Sequence, residues 1–252
     1  MKYLALCIMS KNETEDLIEN INYHRLLGVQ HFFIYDNSSS IPISEKIKNK
    51  DVTIFRWEDS KKGSHVRAFE HCLKNNKDWN WIGFIDTDEF IVLKNGCTDL
   101  KEFLIDYEGY GGLGIQWKCF GSSGHSRRPK SVINSYIHPS NTNDDKHIKT
   151  ILQPKFAVKT NGNPHCFVYI DGKKCINENK KDVFGPYNWP MTRDKIQLNH
   201  YVVKSRQDFE RKKRRGGGNI RNSNKLSESF WSRFQGNGEV DKTIIDLYNK
   251  LK

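Results

Sequence analysis

The sequence predicts an α/β protein built on a mostly parallel sheet flanked by helices. Short apolar runs at residues 1–10, 29–35, 52–57 and 81–85 have strand length, and helix-length intervals separate the first from the second and the third from the fourth. The fourth run ends in Asp86-Thr87-Asp88-Glu89, so carboxylates stand where a buried strand stops. In open α/β sheets that edge holds the ligands. At 252 residues the chain can bury a real core as one large domain or two modest ones.

Taken in order, residues 1–10 form a first strand, too short in its apolar part for a signal peptide. Asn12 or Thr14 caps a helix whose Leu17, Ile18 and Ile21 share a face, and Gly28 is a natural stop. The β-rich run 29–35 breaks into Asp36-Asn37-Ser38-Ser39-Ser40, a loop by composition. A third strand covers 52–57, a helix runs over 65–74, and 81–85 is the fourth strand. Residues 90–93 continue past the acidic turn, and Thr98 caps a helix burying Leu100, Phe103 and Leu104. Residues 112–120, 148–159, 166–170 and 196–203 read as strands, whereas 126–146 has no periodicity and reads as a long functional loop. A basic helix, a glycine run at 216–218 and helical pieces near 227–234 and 241–251 close the chain.

Six cysteines are scattered with no Cys-x-x-Cys pair, which argues against a zinc ribbon or disulfide scaffold and for reduced, buried thiols. No apolar run approaches membrane-spanning length. A soluble, cytoplasmic protein, at most peripheral to a membrane, is expected. Segment 204–221 holds eight basic and two acidic residues, a local excess of +6 out of a formal +11. Such a block suits a nucleic acid, an anionic surface or ligand phosphates, or is simply a solvated helix face.

Asp86, Asp88 and Glu89 are hard oxygen ligands crowded enough that a divalent cation would relieve their repulsion. Mg²⁺ or Mn²⁺ takes one or two carboxylates and fills its shell with phosphate oxygens and water. The competing reading is a solvated acidic turn.

Several motifs appear together in one order: Met9-Ser10-Lys11-Asn12-Glu13, Tyr23-His24, Leu27-Gly28-Val29, Ile34-Tyr35-Asp36-Asn37-Ser38-Ser39 and Phe84-Ile85-Asp86-Thr87-Asp88-Glu89-Phe90. Trp117 with Phe120-Gly121-Ser122-Ser123-Gly124-His125 follows, then Lys149-Thr150-Ile151 with Pro154, Asn163-Pro164-His165, Asn199-His200-Tyr201, and Lys204-Ser205 with Phe209 running into Arg215-Gly216. The set resembles glycosyltransferase family 92 and related family-2-like enzymes over roughly residues 3–220. That resemblance implies a GT-A type (Rossmann-like) fold, with a smaller acceptor-side part and C-terminal helices. The expected organisation is a domain at 1–220 and a helical extension of the same domain at 221–252.

The resemblance further implies transfer of a hexose from a UDP-sugar, UDP-galactose or UDP-glucose foremost, to a glycan hydroxyl with inversion. By motif match, Asp86 and Asp88 hold Mn²⁺ or Mg²⁺, with Asp88 also catalytic, and His200 completes the metal shell with His165 as the alternative. Ser10, Asn12, Glu13, Asp36, Asn37 and Thr87 line the nucleotide-sugar pocket. Arg67, Lys149, Lys204 and Arg215 serve as phosphate-side cations, and 211–218 as a lid. His125 is a candidate at the acceptor. Asp36 has a second reading as an Asx-turn residue, and His165 and His200 as core histidines. The sequence departs from the family at His65, where glutamine is frequent, and at Asn134, where glutamate is frequent, and the general base stays unnamed. Two other functions remain: a nucleic-acid binder using 204–221 with Tyr187, Trp189 and Trp231 as stacking surfaces, and an inactive nucleotide-sugar binder.

Overall fold

The computed structural model describes residues 2–140, 142–215, 226–236 and 238–252. The glycine run 216–218, Arg221 and the expected division at 220/221 lie outside the described residues. In chain order the elements are β1 (Leu4–Ser10), α1 (Thr14–Leu26), β2 (His31–Asp36), α2 (Ile43–Lys46), β3 (Val52–Arg56), α3 (Ser64–Asn75), β4 (Trp81–Asp86), β5 (Glu89–Leu93), α4 (Leu100–Ile105) and β6 (Gly112–Cys119). They continue with β7 (Ile148–Leu152), β8 (Ala157–Thr160), β9 (Phe167–Tyr169), β10 (Cys175–Ile176), β11 (Ile196–His200), α5 (Arg206–Arg215), α6 (Glu228–Arg233) and α7 (Thr243–Leu251).

The main sheet runs β3-β2-β1-β4-β7-β6-β11-β5, with β10 also on β6. The first four strands are all parallel, as the strand–helix spacing requires. Side chains alternate along β1: Leu4, Leu6 and Ile8 enter the core that holds Leu17 and Ile21 of α1, whereas Ala5 and Cys7 enter the one that holds Ala68 and Phe69 of α3. Both faces are therefore buried, which explains the continuous apolar run.

The other half departs from the expectation. β7 is antiparallel to both β4 and β6, and β5 is antiparallel to β11, so the sheet is mixed. The strand expected over 148–159 is split: Pro154 opens a 3₁₀ turn at Pro154–Phe156, and β8 leaves to pair with β9. β4 and β5 are separated by only Thr87 and Asp88, yet three strands lie between them in the sheet order. Three Cα steps span at most about 11 Å, so the sheet must curl until β5 returns beside the end of β4. The acidic turn sits at that seam.

Local corrections follow the same physics. α1 buries Leu17, Asn20, Ile21 and His24, the i, i+3, i+4, i+7 face, and leaves Ile18 outside. Asp99 rather than Thr98 caps α4, accepting the Lys101 amide at 2.7 Å. All six cysteines are free and five are buried. Among the described residues no helix is long and apolar enough to cross a membrane.

Candidate active site

The turn between β4 and β5 is built from below by α1. Asn20 donates to the carbonyls of Thr87 (3.2 Å) and Glu89 (2.7 Å), and His24 Nε2 accepts the Ile91 amide at 3.1 Å. Glu89 completes the turn: its Oε2 accepts the Asp86 amide at 2.7 Å, and the side chain is fully buried. Glu89 was expected beside the two aspartates as a third ligand. It instead turns inward, because an extended residue starting β5 must alternate with its neighbour. Burial drives its carboxyl well above the usual range, against the pull of Lys149.

The two aspartates face different cations. Asp86 meets Lys149 Nζ at 2.9 Å and His65 Nε2 at 3.2 Å. Burial would raise its pKa, but Lys149 and His65 outweigh burial and hold it well below the carboxylate range. Asp88 lies 3.2 Å from Lys212 Nζ and 3.6 Å from His200 Nε2, and these again overcome burial to keep it ionised. Burial pushes His200 down to about 4, despite Asp88, so its imidazole is neutral near pH 7. His200 ends β11 opposite Glu89, which fixes its place at the seam.

Buried polar atoms without hydrogen-bond partners gather at this edge: Ser10 Oγ, Thr87 Oγ1, Glu89 Oε1 and His200 Nδ1. Unpaired buried donors and acceptors are costly and call for a missing partner. Among the described residues no three His, Cys, Asp or Glu side chains converge as a ready cation cage. Asp88 with a neutral His200 is nonetheless a carboxylate–imidazole donor pair that fits a divalent ion, and Lys212 now neutralises that carboxylate.

The loops expected at the nucleotide are drawn together. Asn12 Oδ1 accepts the Ser40 amide, and the Asn37 amide binds the Ser10 carbonyl at 2.8 Å. Asp36 is buried and fully engaged by Arg56 (2.9 Å) and the amides of Ser39 and Ile43, the Asx-turn reading; it shapes the second loop. Arg67 folds back on Asp59 (2.6 Å) and two carbonyls of its own loop. Lys204 is buried on Asp16 (2.6 Å) and near Glu13 (3.5 Å), and Arg215 binds Glu13 at 2.7 Å. Ion pairs inside the fold thus already hold both cations.

The two remaining histidines separate. His165 Nδ1 lies 2.7 Å from the Ile148 carbonyl and packs against Trp117, and burial lowers it to about 3. His125 Nε2 lies 3.1 Å from the Ser135 carbonyl, closing its own loop, with no contact to the aspartates. The Gly-Ser-Ser-Gly segment before it is a packing motif: a Cβ on Gly121 would fall 2.3 Å from the Phe234 carbonyl oxygen.

Two neighbours of the aspartates were not among the candidate site residues, His65 and Lys212. His65 lies in the first turn of α3 beyond a Gly-Ser pair, a signal that the loop approaches a ligand edge. Lys212 was indistinguishable from the other cations of its helix. The acidic residues downstream of the turn also find structural work: Asp145 binds Arg193 at 2.7 Å, and Glu178 accepts the amides of Asp194, Lys195 and Ile196.

The site is thus a carboxylate turn at the seam of a curled α/β sheet, with polar loops closing on it. The family model for glycosyltransferase family 92 matches residues 2–232. This chain belongs to glycosyltransferase family 92. A family 92 protein of Oryza sativa subsp. japonica is 32% identical over 184 residues, 69% of this chain and 31% of that protein. One of Arabidopsis thaliana is 29% identical over 173 residues, 62% of this chain and 30% of that protein. The chain therefore spans under a third of the length of these relatives. Among solved structures, TarS of S. aureus shows 18% identity and a TM-score of 0.38, covering 61% of this chain and 47% of that one. Glucosyl-3-phosphoglycerate synthase of Mycobacterium tuberculosis, solved with Mn²⁺, UDP and glucosyl-3-phosphoglycerate, shows 16% and 0.33, covering 46% and 44%.

Proposed function

We propose that this glycosyltransferase moves a hexose from a UDP-sugar, UDP-galactose or UDP-glucose foremost, to a glycan hydroxyl with inversion, using a divalent cation. The observation that carries the reading is the buried Asp88 carboxylate 3.6 Å from His200 Nε2 at the seam of the sheet. Asp88 and His200 would hold Mn²⁺ or Mg²⁺, with Asp86 alongside. When bound, that ion supplies Lewis-acid neutralisation of the charge that builds on the departing diphosphate.

The chain's own residues do the rest. Asn20 and His24 keep the turn rigid, so the carboxylates need no reorganisation as charge moves. Lys149 holds Asp86 ionised from beneath. Lys212 covers Asp88 and moves onto a phosphate oxygen as the nucleotide enters, because its stem carries three rotatable donors. Ser10 and Thr87 offer the nucleotide unpaired hydroxyls. The Arg215–Glu13 pair ties the end of α5 to the first loop and closes one side of the pocket.

The test is the thermal stability of the protein with UDP and UDP-sugars, each with and without Mn²⁺, since a ligand bound to the native state raises the melting temperature. The native protein responds to UDP only with metal. Asp88→Ala melts near the native temperature but loses that response. A response that survives in Asp88→Ala with Mn²⁺ present would remove the metal assignment.

The nucleic-acid reading weakens for a structural reason. Arg206, Arg211 and Lys213 pair with Glu228 (2.6 Å), Asp208 (3.0 Å) and Glu210 (3.5 Å), and the partly buried Trp231 packs on Phe209.

A further inference from the structure

We infer that residues 184–191 form a sugar-stacking platform that receives the acceptor as a chain of pyranose rings; the inference rests on the proposed transferase reading. Phe184 is 79% exposed, Trp189 76%, Tyr187 46% and Met191 37%, the densest group of exposed large apolar side chains among the described residues. A group of this kind on one short loop marks a binding surface.

The loop is held in place. The Ile148 amide donates to the Pro186 carbonyl (3.1 Å) and the Asn188 amide to the Lys146 carbonyl (2.9 Å). The buried Asn188 side chain donates to Gln116 (2.6 Å) and accepts from Asn177 (3.1 Å). Buried amide pairs of this kind fix a backbone, so the aromatics are presented rather than left to wander.

Continuity with the seam identifies the occupant. Ring contacts lead from His200 to Trp117 (4.2 Å between centroids), from Trp117 to His147 (4.8 Å) and from His147 to Tyr187 (4.7 Å). His200 itself faces Asp88. A line of packed rings thus anchors the exposed loop to the wall of the candidate donor site, so an acceptor whose terminal hydroxyl lies at that site can run over the surface onto the loop.

Pyranose chemistry matches the surface. One face of the ring is lined with polarised C–H groups that pack on the electron-rich face of indole or phenyl, while the hydroxyls stay at the edge in water. Such stacking rewards several linked rings more than one, so the ligand class is an oligosaccharide rather than a free monosaccharide.

The experiment prints defined oligosaccharides of increasing length on an array and probes them with native protein and with the double variant Phe184→Ala/Trp189→Ala, with and without UDP and Mn²⁺. Both side chains are mostly in water, so the variant should fold; its melting curve with UDP and Mn²⁺ checks the donor side separately. The native protein is expected to bind chains of two or more pyranoses, and the variant to bind them at least about tenfold more weakly, ~1.4 kcal/mol, with an unchanged UDP response. Equal binding by the variant, or no oligosaccharide binding by the native protein in either condition, overturns the platform. So does lipid-vesicle binding or self-association abolished by the same substitutions while array binding persists. Failure of UDP to shift the native melting curve counts against the donor assignment alone, because the array reads the platform independently.

Discussion

Lys149 governs the electrostatics of the acidic turn. It is 1% exposed and lies 2.9 Å from Asp86 and 3.7 Å from Glu89. Removing one member of a buried pair leaves an uncompensated charge and typically costs about 3–5 kcal/mol. Lys149→Met is therefore expected to lower the urea unfolding free energy by about that amount, whereas Glu89→Gln should cost far less, since burial favours the proton on Glu89 already. Equal losses in the two variants would mean that Glu89 is ionised. The sequence offered Asp86 and Asp88 through their spacing after an apolar run. It offered nothing for Lys212, which reaches Asp88 across the fold from another element.

At the scale of the element, α1 shows why a hydrophobic pattern alone misleads. Its inner face carries Asn20 and His24 because the β4–β5 turn above it has carbonyls and an amide that need partners. A reader of apolar spacing therefore assigns Ile18 inward and misses both polar clamps. His24 also makes a pH prediction. Burial lowers it from 6.5 to about 3. Between those values the unfolded chain binds a proton that the folded chain refuses, so stability falls as pH drops, by up to ~1.4 kcal/mol per unit for this group. Urea unfolding at pH 7 and pH 5 should show that loss, and a His24→Gln variant should show a shallower one. Identical slopes would mean that His24 titrates freely in the folded state.

At the scale of the molecule, the C-terminal helices belong to the central core. Leu226, Phe234, Ile244 and Leu247 are buried in the same cluster as β1 and α1, and Lys118 pairs with Asp241. Gly121 sits against the backbone of 234–236 with no room for a side chain. The full chain is accordingly expected to unfold in one step, with far-ultraviolet circular dichroism and tryptophan fluorescence giving coincident transitions. A chain cut after residue 220 should lose that cooperative transition or melt many degrees lower. An unchanged melting curve for the shortened chain would mean that 221–252 is an appendage.

The sequence by itself determined the α/β class, the parallel half, the positions of Asp86 and Asp88 at the end of a strand, and the family. These follow from local periodicity, strand length and short motifs, all properties of neighbours in the chain. Only the tertiary structure decided that the sheet is mixed and curled, that Glu89 turns inward, and that Lys204 and Arg215 are held by Asp16 and Glu13. The reason is long-range pairing. Whether a charged side chain is free for a ligand depends on which distant residue the fold sets within about 3 Å of it. At the acidic turn it is the closure of β5 onto β11, a contact between strands about 100 residues apart, that sets His200 opposite Glu89 and beside Asp88.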